Sequence, residues 1–139
     1  PAIGWAGATG SISIGAVLLF GVLFFWQLPH FASIAWLYRE DYARGGFPML
    51  SVVDPDGAST SRQVVGGSIA LLGISLAPSL LGITGNLYLA GAVVLGAAYL
   101  ALGSELARSL TPSSARRVFL ASLVHLPALF ILMTLDKRA

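Results

Sequence analysis

The 139-residue chain has no cysteine. That excludes a disulfide framework and any thiolate metal site. Charge is scarce as well: 10% of residues are charged and 56% are hydrophobic. A soluble domain carries roughly 25% charged residues, so a soluble fold is excluded. The mean hydropathy of +0.83 points to an integral membrane chain lodged in the lipid bilayer. The net charge is only +2, too small a surplus for a nucleic-acid partner, and the basic excess reads better as membrane topology. The sequence starts Pro1-Ala-Ile-Gly-Trp5, without a Met, a basic leader or a cleavage signature. It reads as one piece of a larger bundle.

Long apolar runs are present in number. A spanning helix needs roughly 20 predominantly apolar residues. Four segments qualify, about 11–37, 64–81, 87–106 and 117–135. The expected fold is all-α, a polytopic transmembrane helix bundle. Pro1 to Gly10 is expected to end an earlier helix or to form a turn. Gly82-Ile-Thr-Gly-Asn86 is short and uncharged, a tight link between antiparallel helices. Ser113 or Ser114 is the expected N-cap of the fourth span. The connection 38–63 is long and charged, and it carries the turn signal Asp54-Pro-Asp-Gly57. Function concentrates in such loops. Placing it on the cytoplasmic side puts Arg39, Arg44, Arg62, Arg108, Arg116 and Arg117 inside, and only Lys137 and Arg138 outside. That asymmetry favours the arrangement. Glycines and alanines recur in the spans, as close helix packing in membranes requires.

The first span contains residues that hydrocarbon tolerates poorly: Gln27, Pro29 and His30. Pro29 removes a backbone donor and frees the Phe25 carbonyl. Gln27 and His30 are expected to serve it in part. If the helix runs on through Asp41, then Gln27, His30, Tyr38 and Asp41 share a stripe about 80° wide. Taken singly, His30 is an ordinary interior residue, Pro29 a kink, and Asp41 a surface partner for Arg44 three residues on. Taken together on one face, they mark a site, because intramembrane ionisable groups usually do. His125, in the last span, reads as structural.

A carboxylate at a bundle rim suits Mg²⁺, which takes one or two carboxylates plus phosphate oxygens and waters. Arg39 or Arg44 can clamp phosphate. The apolar helix below can hold a lipid tail. These residue types fit a diphosphate-lipid site, although one Asp is at most half of a metal site.

Three motifs sharpen this reading. Trp26-Gln-Leu-Pro-His30, Tyr38-Arg-Glu-Asp-Tyr42 and Gly46-Phe-Pro-Met-Leu50 together resemble the protohaem-farnesylating branch of the UbiA superfamily of membrane prenyltransferases. Pro1-Ala-Ile-Gly-Trp5 with Thr9-Gly10, Val52-Val-Asp-Pro-Asp-Gly57, Phe119-x-x-Ser122 and Leu126-Pro127 extend the resemblance along essentially the whole chain. It implies a nine-helix fold of which these are helices six to nine. It implies transfer of a farnesyl group from farnesyl diphosphate to a vinyl group of protohaem IX, with haem B as substrate and Mg²⁺ on the diphosphate. It places the protein in a bacterial inner membrane, with haem A synthase or cytochrome oxidase assembly as candidate partners.

Residue by residue, the resemblance assigns Asp41 to Mg²⁺–diphosphate and Arg39 to diphosphate. Tyr38 and Tyr42 would stand near the developing cation. Trp26, Gln27 and His30 would lie deeper, by the porphyrin or the prenyl chain, with His30 either ligating iron or moving a proton. The loop departs from other superfamily members, since only Glu40-Asp41 stands where they carry a fuller aspartate cluster. The first aspartate-rich loop of the family falls outside this sequence, so the chain alone is expected to be inactive. Two alternatives stay open: a UbiA-type enzyme acting on a quinone or chlorophyll precursor, and half of a transporter.

Overall fold

The computed structural model describes residues 1–138. Seven helices follow one another: α1 (Ala2–Thr9), α2 (Ile14–Leu37), α3 (Arg39–Arg44), α4 (Leu50–Val53), α5 (Ala58–Leu80), α6 (Asn86–Ser109) and α7 (Pro112–Leu135). Among the described residues there is no strand; Thr84 and Lys137 form an isolated bridge. Four helices, α2, α5, α6 and α7, are long and apolar enough to cross a membrane. They pack α2 on α5, α5 on α6, α6 on α7 and α7 back on α2, which closes a four-helix ring.

The bounds differ from the expected spans in one instructive place. The second span begins at Ala58, not near Val64. Asp54 explains the difference, because its Oδ2 accepts from the backbone N–H of Ser59 at 2.7 Å and of Thr60 at 3.4 Å. The polar residues Ser59, Ser61, Arg62 and Gln63 therefore belong to the helix. The connection 38–63 is not a plain loop either, since it holds α3 and α4. Ser51 ties α4 to α2 by donating to the Ala35 carbonyl at 2.7 Å.

The α7 N-cap is Thr111, not Ser113 or Ser114. Pro112 occupies the first helical position, and Thr111 and Ser114 cap each other reciprocally. At the other end of the bundle, Asp136 Oδ2 accepts the Tyr88 N–H at 2.7 Å and so caps α6. A Cβ on Gly85 would stand 2.6 Å from that carboxylate, so a larger residue there would push the cap aside.

The core holds Val22, Val64, Leu71, Tyr88, Ala92, Leu106, Val118 and Leu129, each fully buried or nearly so. Outer faces remain apolar, with Phe20, Phe24, Phe31, Val94, Val124 and Ile131 exposed. In water that surface would be a liability; in lipid it is the natural boundary. Gly67 brings α5 against α2 at the proline, where a Cβ would lie 2.9 Å from Pro29 Cδ and 3.0 Å from Leu28 Cβ.

Candidate functional site

At one end of the ring the chain stops being apolar. Helix α2 ends at Leu37, and Tyr38 (φ −107°, ψ 20°) separates it from α3. The expected stripe from Gln27 to Asp41 assumed an unbroken helix, and that assumption fails here. The break turns Arg39, Glu40, Asp41 and Arg44 toward a depression of about 270 Å³, completed by Trp36, Leu37, Leu110 and Pro112. Arg39, which an unbroken helix would hold well away from Asp41, thus shares a cavity with it. A second hollow of about 230 Å³ lies behind it, between Arg39, Glu40, Ser51 and Pro55.

Each wall has a cause. Trp36 is buried, and its indole N–H donates to the Leu110 carbonyl at 2.9 Å, which fixes the α6–α7 corner to the end of α2. Leu110 sits at φ 49°, a left-handed conformation that disfavours a leucine. Its side chain and Trp36 fill the space beside Gly57, itself at φ 69°. The Arg39 guanidinium lies over the Trp36 ring, 4.3 Å from its centroid, a cation–π contact that pre-sets the side chain. Arg44 donates to Asp41 Oδ1 at 2.7 Å, with side chains 76% and 63% exposed. So exposed a pair contributes about 0–1 kcal/mol. Both partners are therefore cheaply released to a charged ligand.

Tyr38 and Tyr42 do not line this depression. Tyr38 is exposed, and Tyr42 packs edge-on against Phe47 with ring centroids 6.5 Å apart. Trp26, Gln27 and His30 lie deeper; His30 is roughly 10 Å along the axis from Leu37, at 1.5 Å per residue. Trp26 and Gln27 are half-buried and His30 is buried. His30 Nδ1 is 2.6 Å from Ser122 Oγ, and Trp26 Nε1 donates to the Ser122 carbonyl at 2.9 Å. The His30 ring stacks on Trp26, centroids 4.4 Å apart. His30 thus uses Nδ1 on α7 and not on the carbonyl that Pro29 frees. The charged rim and this aromatic–histidine cluster are two places, and the structure does not join them in one cavity.

Sequence reasoning missed Trp36 and Ser122. A tryptophan at a span terminus signals an interface, but its bond to Leu110 spans 74 residues. His125 is buried, as expected of a structural residue, with its ring 5.0 Å from that of Tyr99. Another cavity, of about 310 Å³, lies at the opposite end between Trp5, Leu18, Ile83 and Phe130. It is apolar and far from the charged cluster.

The pattern described as "UbiA prenyltransferase family" matches residues 1–131. The chain belongs to the UbiA prenyltransferase family. This UbiA chain is 50% identical to a protein named "Protoheme IX farnesyltransferase" from Solibacter usitatus, over 99% of the chain and 47% of the relative. It is 46% identical to one of the same name from Koribacter versatilis, over 99% of the chain and 46% of the relative. With the human "Protoheme IX farnesyltransferase, mitochondrial" it shares 41% identity over 99% of the chain and 31% of the relative. The chain spans about half the length of the bacterial relatives it matches. No solved structure gives a significant match. Four apolar spans in a UbiA chain make it an integral membrane protein.

Proposed function

We propose that this chain supplies one side of the site of a protohaem IX farnesyltransferase. The reaction joins C1 of farnesyl diphosphate to a vinyl carbon of protohaem IX. Diphosphate leaves with the bonding pair, and water adds to the neighbouring carbon with loss of a proton, giving haem O. The observation that carries this reading is the rim cluster of Arg39, Glu40, Asp41 and Arg44 on a chain that matches relatives of that name.

The residues fit a magnesium–diphosphate site in part. Among the described residues no group of three or more His, Asp or Glu side chains could hold a metal. Asp41, with Glu40 beside it, offers the one or two carboxylates that Mg²⁺ commonly takes alongside phosphate oxygens and water. Bound to the diphosphate, Mg²⁺ would neutralise charge as the leaving group departs. Arg39, steadied on Trp36, and Arg44, released from Asp41, would pair with the remaining phosphate oxygens. The prenyl chain would run from the rim down toward Trp26, Gln27 and His30, where the aromatic rings suit a hydrocarbon tail. Tyr38 and Tyr42, outside the depression, would approach the substrate only as flanking groups. With Asp41 the single aspartate in its rim cluster, the chain alone does not catalyse transfer. The basic asymmetry supports a cytoplasmic rim, and the likeness to bacterial relatives supports a bacterial plasma membrane.

A chimera tests this: the chain replaces the matching 47% of the Solibacter usitatus relative. In proteoliposomes with farnesyl diphosphate, Mg²⁺ and protohaem, mass spectrometry should find haem O, and the chain alone should form none. Prenylation of a quinone precursor with protohaem untouched, or haem O from the isolated chain, would count against the proposal.

A further inference from the structure

The end of the bundle opposite the charged rim holds a hollow that the proposed reaction does not use. Its volume is about 310 Å³, and Trp5, Leu18, Leu19, Phe130 and Met133 give it apolar walls. Trp5 reaches it from α1 because Gly15 on α2 leaves room; a Cβ there would stand 2.8 Å from the indole ring. The Trp5 N–H is buried and has no partner among the described residues. Turning it toward a ligand oxygen would break no bond.

The lining also includes a charged residue, Lys137. It lies two residues beyond Leu135, where α7 ends. Backbone bonds fix it there. Gly85 N–H donates to the Asp136 carbonyl at 3.0 Å, Arg138 N–H donates to the Ile83 carbonyl at 3.0 Å, and Lys137 bridges to Thr84 between them. The neighbouring Asp136 carboxylate is already engaged by the Tyr88 N–H. The ion pairs among the described residues lie at the rim end, and neither uses Lys137. A span that ends at Leu135 sets Lys137 at headgroup depth, where lysine and tryptophan side chains sit in membranes. With the charged rim inside, Lys137 and Arg138 are the two basic residues on the side that carries few.

The size of the hollow selects among occupants. One turn of a helix about 10 Å across occupies roughly 400 Å³, so a partner helix does not enter. A hydrocarbon chain does, and it brings no backbone polar groups into the apolar walls. We propose that this hollow takes one acyl chain of an anionic phospholipid from the leaflet opposite the rim, with Lys137 against the lipid phosphate. The proposal stands on the spanning bundle and not on the reaction assigned to the rim.

The test places the chain in nanodiscs of phosphatidylcholine with a minority of phosphatidylglycerol of the same acyl chains. Native mass spectrometry of the released chain should find phosphatidylglycerol retained in preference. Lys137→Gln should lower that preference about fivefold, the usual effect of one basic residue near an anionic headgroup. Arg108→Gln makes the same charge change at the rim end and should leave the preference unchanged. Leu19→Trp fills the hollow and should abolish retention. Phosphatidylglycerol brominated along its acyl chains should quench Trp5 fluorescence, taken as the difference from Trp5→Phe. Brominated phosphatidylcholine should quench it less, and Lys137→Gln should remove the excess.

Equal retention of the two lipids overturns the proposal. So does an equal fall in Arg108→Gln, which would mean diffuse surface charge, or displacement of the lipid by inorganic phosphate, which would mean an anion site without a chain. Undiminished retention in a folded Leu19→Trp, or a lipid-free dimer of the unsubstituted chain, also overturns it. If Leu19→Trp loses helicity by circular dichroism, the Trp5 quenching and its response to Lys137→Gln still decide.

Discussion

Gly66 and Gly67 are neighbours on α5 with opposite surroundings, and alanine at each tests how the bundle is packed. A Cβ at Gly66 would meet nothing within 4 Å. A Cβ at Gly67 would stand 2.9 Å from Pro29 Cδ and 3.0 Å from Leu28 Cβ. Carbon atoms pack best at about 3.5–4.0 Å, so α2 and α5 would have to part by roughly 0.5–1 Å. Neither obstacle is the free end of a flexible side chain. One is a proline ring atom and the other a Cβ. Overpacking of this kind costs about 1–3 kcal/mol. Alanine also gains about 0.5–1 kcal/mol over glycine inside a helix. That gain is common to both variants, so their difference isolates the packing. Gly66→Ala should be neutral or slightly stabilising, and Gly67→Ala should unfold about 1–3 kcal/mol more easily than Gly66→Ala. The assay is reversible unfolding in mixed micelles with increasing SDS, followed by circular dichroism. Equal stabilities for the two variants, or a more stable Gly67→Ala, would refute the claim that α5 lies directly against the proline of α2.

Two further outcomes follow from the ends of the bundle. Asp136→Ala removes the acceptor for the Tyr88 N–H, so it should cost about 1 kcal/mol in the same assay, as other lost helix caps do; no change would mean that the α6 terminus is satisfied in another way. Arg44→Ala breaks an exposed pair, so stability should move by less than about 1 kcal/mol. Diphosphate affinity, read by calorimetry on the chimera, should nevertheless fall several-fold.

The four spans were legible because their apolar runs are long and their polar punctuation is sparse. What escaped the sequence were features decided by contacts remote along the chain or by local competition. The polar start of α5 looked like loop until Asp54 was seen to cap it. Ser113 and Ser114 looked like caps, but Pro112 at the first helical position shifts that role to Thr111. The stripe from Gln27 to Asp41 depended on a helix that breaks at Tyr38. Its break brings Arg39 and Asp41 to one cavity and leaves Tyr38 and Tyr42 outside it. The partner of His30 stands 92 residues away on α7. Nothing in the local pattern marked Ser122 as that partner, although it lay within the recognisable Phe119-x-x-Ser122 stretch.

In the proposed function, Asp41 and its arginine neighbours hold a magnesium-bound diphosphate at the rim. The most direct test is binding of a non-hydrolysable farnesyl diphosphate analogue to the chimera, with and without Mg²⁺, in unsubstituted, Asp41→Ala and Asp136→Ala forms. Binding should require Mg²⁺, be lost in Asp41→Ala and survive in Asp136→Ala. Binding that is indifferent to Mg²⁺, or unchanged in Asp41→Ala, would contradict that role.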